Sequence, residues 1–327
     1  MHISMRLFKQ IKSDYNNKLF DDYLLNKNYD SAYQLLIDLK NKNHEDYFSF
    51  LSNNINKLID NPEIVTKKKI IWSLSYDLDD LSFIKNFFNI YLPKNSKNTF
   101  IEKDFSISLS DYFTNNQVNN KLEELVFNDF VNSSDLFQNL LLLDCDKDYL
   151  FLNSCGAFFE TNQNRYFINS NLTFCYFYIV RDPKNLYFKY KNVYDHSESS
   201  FNELFNFNNK QFLNPLITDK KVKVYENRAN INTNIKSWTD PNVKNTYKGK
   251  TITYQRIIDE PEDVILEIIY HLKQYGFDIE INPADIQDFI SKYSIKNDLD
   301  YELSNKEKKF LNKNLDESII SYLNLDY

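Results

Sequence analysis

Several common signals are missing from this sequence of 327 residues. No stretch of about 18 apolar residues occurs, so no transmembrane helix is expected. The N-terminus, MHISMRLFKQIKSDYNN, has no apolar core long enough for a signal peptide. The three cysteines are odd in number and show no C-x-x-C spacing, which argues against a disulfide framework and against a zinc site. Together these absences predict a protein of a reducing compartment, most simply the cytoplasm.

The sequence also lacks a net positive charge and has little glycine. The net charge of -7 opposes a large nonspecific interface with DNA or RNA, because such binding depends on neutralising phosphates. Only three glycines occur, while 16% of the residues are aromatic. We interpret this bias, and the runs of Asn and Lys, as compositional rather than functional. With 42% hydrophobic and 26% charged residues, the chain is expected to fold.

Two regions follow from the spacing of apolar residues. Residues 1–66 contain LFDDYLL, SAYQLLIDL and FSFLSNNINKLI, whose apolar residues recur three and four apart, so a helical extension is predicted. Residues 67–327 form the main domain. We expect the extension to pack on the main domain or on a protein partner. If it packs internally, four leucines should be protected from solvent: Leu24, Leu35, Leu36 and Leu39.

The main domain opens on KKKIIWSLSY, a basic run followed by a short apolar strand, and continues into a helical pattern, SFIKNFFNIYL. Further strands are predicted at 149–152, 173–180 and 250–254. Helices are predicted at 121–132, 185–194, 262–275 and 304–323. Strands separated by long helical connections predict an α/β fold, a parallel sheet flanked by helices.

The segment TFCYFYIVRDPKNLYFKYKNVY places an apolar strand directly before Arg-Asp-Pro and an aromatic helix. It resembles the segment with which sulfotransferases hold the 3′-phosphate of phosphoadenosine phosphosulfate (PAPS). Arg181 stands in the arginine place, and Lys189 stands where that family usually has serine. A strand end followed by a helix N-terminus also favours anions on physical grounds. A second interpretation stays open, in which Arg181 pairs with Asp182 or a neighbouring carboxylate and only caps the helix.

Three further stretches occur in the family's order. FLNSCGAFFETNQNRYFINSNLTFCYFYIVRDP resembles its acceptor-side strand and loop, NINTNIKSWTDP resembles the helix that ends in Ser-Trp, and KTITYQRIIDEPEDVILEIIYHL resembles the strand, tyrosine turn and helix after it. The resemblance covers about residues 67–327. It implies a sulfotransferase-like, three-layer fold of the P-loop type, with the loops after the first strand and after Arg-Asp-Pro close together in space.

The loop after the first strand departs from that pattern. The family carries P-K-S-G-T/N-T there, whereas residues 77–82 read DLDDLS, with Leu78 in the lysine place and Asp80 in the glycine place. Carboxylates beside a dianionic ligand repel it, by on the order of 1–4 kcal/mol per close contact. We interpret the loop as a solvated acidic turn that caps the next helix. Ser82 and Lys85 are the residues of this degenerate loop that could still contact phosphate.

Other catalytic elements are replaced as well. The family's acceptor-side strand ends in Lys-Thr-His, and the matching residues here are Asn153, Ser154 and Cys155. None of them readily accepts a proton near neutral pH. The family's R-K-G segment near the C-terminus is missing from YSIKNDLDYELSNKEKK. The four histidines show no metal-ligand spacing, and His196 is a weak candidate for the site.

The resemblance therefore leaves two functional hypotheses. In the first, the chain is a divergent sulfotransferase-family protein whose sulfuryl transfer is lost or strongly weakened. It would keep a binding or partner role, directed at a protein through the N-terminal helices, at a glycan or at a small anion. In the second, an active enzyme transfers sulfate to a glycan or another hydroxyl acceptor, with Arg181, Lys189 and Lys85 binding phosphate. No cofactor is certain, and PAPS or adenosine 3′,5′-bisphosphate is the ligand expected if binding is retained.

Overall fold

The computed structural model describes residues 2–65, 68–105, 138–139, 141–143, 145–158, 168–193, 214–215, 225–226, 229–293, 295 and 302–325. The helix predicted at 121–132 lies outside these residues, as does His196. Within them, no helix is both long enough and apolar enough to cross a membrane.

Among the described residues, five parallel strands form the central sheet: β1 (Lys69–Ser75), β2 (Phe100–Asp104), β3 (Tyr149–Ser154), β4 (Thr173–Val180) and β7 (Gly249–Thr253). Their order across the sheet is β2-β3-β1-β4-β7. All eight residues of β4 are buried, as are six of the seven in β1, which explains their continuous apolar sequences. A separate two-stranded pair consists of β5 (Asn214–Pro215) and β6 (Tyr225–Glu226). The α/β fold with a parallel sheet is confirmed.

Helices cover both faces of the sheet. Alternate residues of β1 point to opposite sides, so Trp72 joins one buried cluster and Ile71 joins the other. Elements of the Ile71 side are α4 (Ser82–Asn86), a π-helical turn (Phe87–Tyr91), α5 (Leu92–Asn95), α9 (Tyr254–Asp259), α10 (Pro261–Gln274) and α11 (Pro283–Tyr293). Elements that contribute to the Trp72 side are α1 (His2–Leu25), α2 (Tyr29–Lys42), α3 (His44–Asp60), α6 (Pro183–Val193), α7 (Ile231–Thr239), α12 (Asn305–Asn314) and α13 (Glu317–Leu323). Helix α8 (Pro241–Thr246) leads from α7 into β7.

The N-terminal helices share a core with the sheet. Leu36 and Leu39 are buried, and Leu24 and Leu35 are partly buried against the same cluster, as internal packing of the extension requires. Lys68 strengthens this junction, because its Nζ donates to the Tyr33 hydroxyl at 3.0 Å and to backbone carbonyls of residues 142 and 145. The extension therefore covers the sheet rather than standing apart from it.

Two elements differ from the sequence expectation. Strand β2 was not predicted, since its sequence FIEKD carries charges and only part of each side chain is covered, as is usual for an edge strand. The single helix predicted at 304–323 is two helices. Asp316 separates them, because its side chain accepts a hydrogen bond from the Ser318 backbone N–H at 3.0 Å and begins the second helix.

Candidate functional site

The strand order defines a crevice at the carboxyl ends of β1 and β4. The chain leaves β1 toward β2 on one side of the sheet, whereas it leaves β4 toward β7 on the other side. Neighbouring strands whose connections run in opposite directions leave a gap outside their carboxyl ends, and α/β folds bind ligands in this gap. The site is therefore formed by the turn after β1 and the turn after β4.

A buried ion pair occupies this crevice. Arg181 follows β4 directly, and Asp80 lies in the 3-10 turn Leu78–Leu81 that follows β1. The Arg181 Nη1 atom is 2.5 Å from Asp80 Oδ1. Asp80 is 0% exposed and Arg181 is 9% exposed. The two turns are thus close together, as predicted, and Arg181 pairs with a neighbouring carboxylate that is not Asp182.

The turn after β1 is not uniformly solvated, which corrects the interpretation of 77–82 as an exposed acidic turn. Asp79 is exposed, but Asp80 points inward and its second oxygen accepts a long hydrogen bond from the Ser75 hydroxyl, at 3.4 Å. The reason is the guanidinium opposite, because a carboxylate can be buried at this depth when a charged partner compensates its lost hydration.

Arg181 also contacts an aromatic ring. Its guanidinium carbon lies 4.3 Å from the centre of the Tyr254 ring, at the start of α9 after β7. This distance is short enough for a cation–π interaction. Arg181 Nε is buried and has no hydrogen-bond partner among the described residues. The side chain of Arg181 therefore connects the carboxyl ends of three strands, β1, β4 and β7.

Two other carboxylates accept hydrogen bonds from backbone groups of the same turns. Asp182 accepts from the Lys184 N–H at 2.8 Å, in the first turn of α6. Asp77 accepts from the Asp79 N–H at 3.1 Å and caps the turn after β1. Free N–H groups at such positions are the usual binding sites for phosphate in α/β folds. Here two such N–H groups donate to Asp182 and Asp77, and the Arg181 guanidinium donates to Asp80.

The other predicted phosphate contacts lie around this pair. Lys85 does not reach back to the crevice, because its Nζ is 2.5 Å from Asp104 Oδ1 at the end of β2. Ser82 is exposed at the beginning of α4. Lys189 lies in α6, with its side chain outside the described residues. The crevice therefore brings together Arg181 and Asp80, while Lys85 is held elsewhere.

Asn153, Ser154 and Cys155, which the resemblance matched to Lys-Thr-His, are all buried at the end of β3. Asn153 donates through Nδ2 to Glu102 and to the carbonyl of residue 103. The Ser154 hydroxyl accepts from the backbone N–H of residue 156 at 3.0 Å, and the Cys155 carbonyl accepts from Asn234 Nδ2 at 3.2 Å. These contacts stabilise the local backbone, and none of them prepares a general base.

Buried tyrosine and tryptophan side chains of the Trp72 side hold the loop after β3. Trp238 donates through Nε1 to the carbonyl of Gly156 at 2.8 Å, and the Tyr176 hydroxyl donates to the Trp238 carbonyl at 2.7 Å. The Tyr178 hydroxyl donates to Asn234 Oδ1 at 2.8 Å, and burial raises the pKa of this phenol well above its usual value. Tyr178 is therefore a neutral donor at physiological pH. Buried hydroxyls need partners, so the alternation of Tyr176 and Tyr178 along β4 was a signal for this network.

His271 and the acidic and cysteine side chains of the described residues form no candidate metal site. His271 Nε2 lies 2.8 Å from the carbonyl oxygen of Lys248, and burial lowers the pKa of the imidazole, which is therefore mostly neutral at pH 7. No group of three or more His, Cys, Asp or Glu residues there could hold a metal ion. The described residues thus offer an ion pair, a stacked tyrosine and capped backbone turns.

Comparisons with known proteins add one distant structural similarity. No protein-family model and no curated protein matches the sequence. Among solved structures, the mouse sulfotransferase SULT7A1 in complex with PAP is similar, with a TM-score of 0.42 and 11% sequence identity. The match covers 78% of this chain and 86% of that one. At this identity and TM-score the similarity assigns neither an activity nor a ligand.

Proposed function

We propose that the chain is a divergent sulfotransferase-like protein that has lost, or strongly weakened, PAPS-dependent sulfuryl transfer and serves as a binding or partner module. The observation that carries this proposal is the buried pair of Asp80 and Arg181. The order of the sequence motifs, whose described parts lie on strands and turns of one parallel sheet, supports the family. The buried pair argues against binding of the sulfate donor PAPS.

Charge is the first reason why a donor would bind poorly. A phosphate group that approaches Arg181 meets the carboxylate of Asp80 in the same position, and close like charges repel by on the order of 1–4 kcal/mol. Displacing Asp80 instead would leave that carboxylate buried without its partner, which costs several kcal/mol. Either way, the anion gains less from Arg181 than it would from a free guanidinium.

The absence of the catalytic groups is a separate reason why sulfuryl transfer would be lost. Sulfuryl transfer needs charge stabilisation at the bridging oxygen and a base for the acceptor hydroxyl. The lysine place holds Leu78, which packs against the apolar cluster of α4, and the base place holds Cys155, which is 1% exposed. The proposed role is therefore recognition of a protein, a glycan or a small anion in the cytoplasm.

The N-terminal helices still offer a surface to a protein partner. Their buried leucines are committed to the shared core, but Tyr15 and Leu25 of α1 are 65% and 81% exposed. A partner would therefore contact the outward side of α1 rather than replace the internal packing. Nucleic acid is not an expected partner of a chain with a net charge of -7.

Calorimetric titration with PAPS tests the proposal. We expect no saturable heat in the micromolar range for the unmodified protein, because the guanidinium is already neutralised. Saturable binding that is abolished by Arg181→Ala would instead support an active sulfotransferase with a non-standard site. In that case, transfer of labelled sulfate to glycans and other hydroxyl acceptors would identify the reaction.

A further inference from the structure

We infer that Asp80 is an internal occupant of an oxyanion site: its carboxylate takes the place on Arg181 that a phosphate or sulfate monoester would take if Asp80 were neutral. This inference rests on the proposed function, because both concern the same crevice. It goes further, since it states that a single carboxylate keeps the site closed and that the rest of the site remains built.

The geometry of Arg181 supports a built site. The guanidinium is fixed from one side by the Tyr254 ring at 4.3 Å, so its position does not depend on Asp80 alone. Asp80 reaches it through Nη1, while the buried Nε has no hydrogen-bond partner among the described residues. A guanidinium can donate to two oxygens of one anion at once, which Asp80 does not exploit through Nε. A tetrahedral oxyanion could accept hydrogen bonds from Nη1 and Nε of Arg181 at the same time.

The surroundings also permit an external anion to replace the carboxylate. Asp80 lies in a short turn whose residue Asp79 and following residue Ser82 are exposed, and we expect truncation of the Asp80 side chain to let an anion enter from solvent. The Ser75 hydroxyl, 3.4 Å from Asp80 Oδ2, would remain as a further donor. An anion in this position would therefore meet a cation and a hydroxyl, with no other described carboxylate bonded to Arg181.

Anion rescue tests this inference. We expect the melting temperature of Asp80→Ala to rise by at least about 3 °C more in sodium phosphate than in sodium chloride of equal ionic strength, because a ligand that binds only the folded state stabilises it. The unmodified protein and the double variant Asp80→Ala/Arg181→Met should show no such excess. They also report the general effect of phosphate on protein surfaces, which is not specific to Arg181.

A second variant covers the case in which Asp80→Ala does not fold. Asp80→Asn keeps the size of the side chain without its charge, and we expect it to bind adenosine 3′,5′-bisphosphate at least about tenfold more tightly than the unmodified protein, a change of about 1.4 kcal/mol. A response to phosphate but not to the nucleotide would indicate a site for free phosphate, which also supports the inference. Folded Asp80→Asn that responds to neither ligand would overturn it. The proposed function fails separately, if the unmodified protein binds PAPS.

Discussion

Replacing Asp80 with Ala is expected to lower the free energy of unfolding by about 3–5 kcal/mol. The change leaves the guanidinium of Arg181, which is 9% exposed, without its charged partner, and an uncompensated buried charge is among the most costly defects in a folded protein. Urea denaturation monitored by tryptophan fluorescence measures the change. The matched control is Asp79→Ala in the same turn, where the exposed side chain should cost less than about 0.5 kcal/mol.

Removing both charges tests whether charge compensation or packing accounts for the effect of Asp80 on stability. Asp80→Ala combined with Arg181→Met should recover most of the stability lost in the single variant, since the double variant leaves no buried charge without a partner. Equal losses in Asp80→Ala and in the double variant would show that packing, and not charge compensation, gives Asp80 its role. A loss below about 1 kcal/mol in the single variant would contradict the buried pair itself.

Leu36→Ala is expected to destabilise the protein by about 2–5 kcal/mol. Leu36 is 0% exposed and belongs to the cluster that also contains Trp72 of β1, so truncation leaves a cavity in this shared core. The control is Leu25→Ala, because that leucine is 81% exposed and its loss should change the free energy of unfolding by less than about 0.5 kcal/mol. Similar midpoints for the two variants would contradict the shared core of the extension and the main domain.

The strands that lie inside the sheet could be predicted because most of their residues are apolar. β4 was predicted at 173–180 and is Thr173–Val180, while β3 was predicted at 149–152 and is Tyr149–Ser154. The edge strand β7 was predicted at 250–254 and is Gly249–Thr253, although its sequence is mixed. The order of strand, turn and helix was enough to place Arg181 beside the turn after β1. Long, buried, parallel strands give this signal because both of their faces need apolar side chains.

The inward orientation of the Asp80 side chain could not be predicted in the same way. Three aspartates within four residues suggest a solvated turn, and only one of them points into the protein. Its burial depends on Arg181, a residue 101 positions away along the chain, and no local pattern reports such a contact. The same limit applies to Tyr254, whose ring stacks on Arg181 from a third strand end, and to Lys85, which pairs with Asp104 on a strand that was not predicted.

A crystal structure of the unmodified protein soaked with millimolar adenosine 3′,5′-bisphosphate is the most direct measurement of the central claim. The prediction is that Arg181 keeps its contact with Asp80 and that no nucleotide binds at the carboxyl ends of β1 and β4. A nucleotide bound there, with a phosphate on Arg181 and Asp80 turned away from it, would contradict the account.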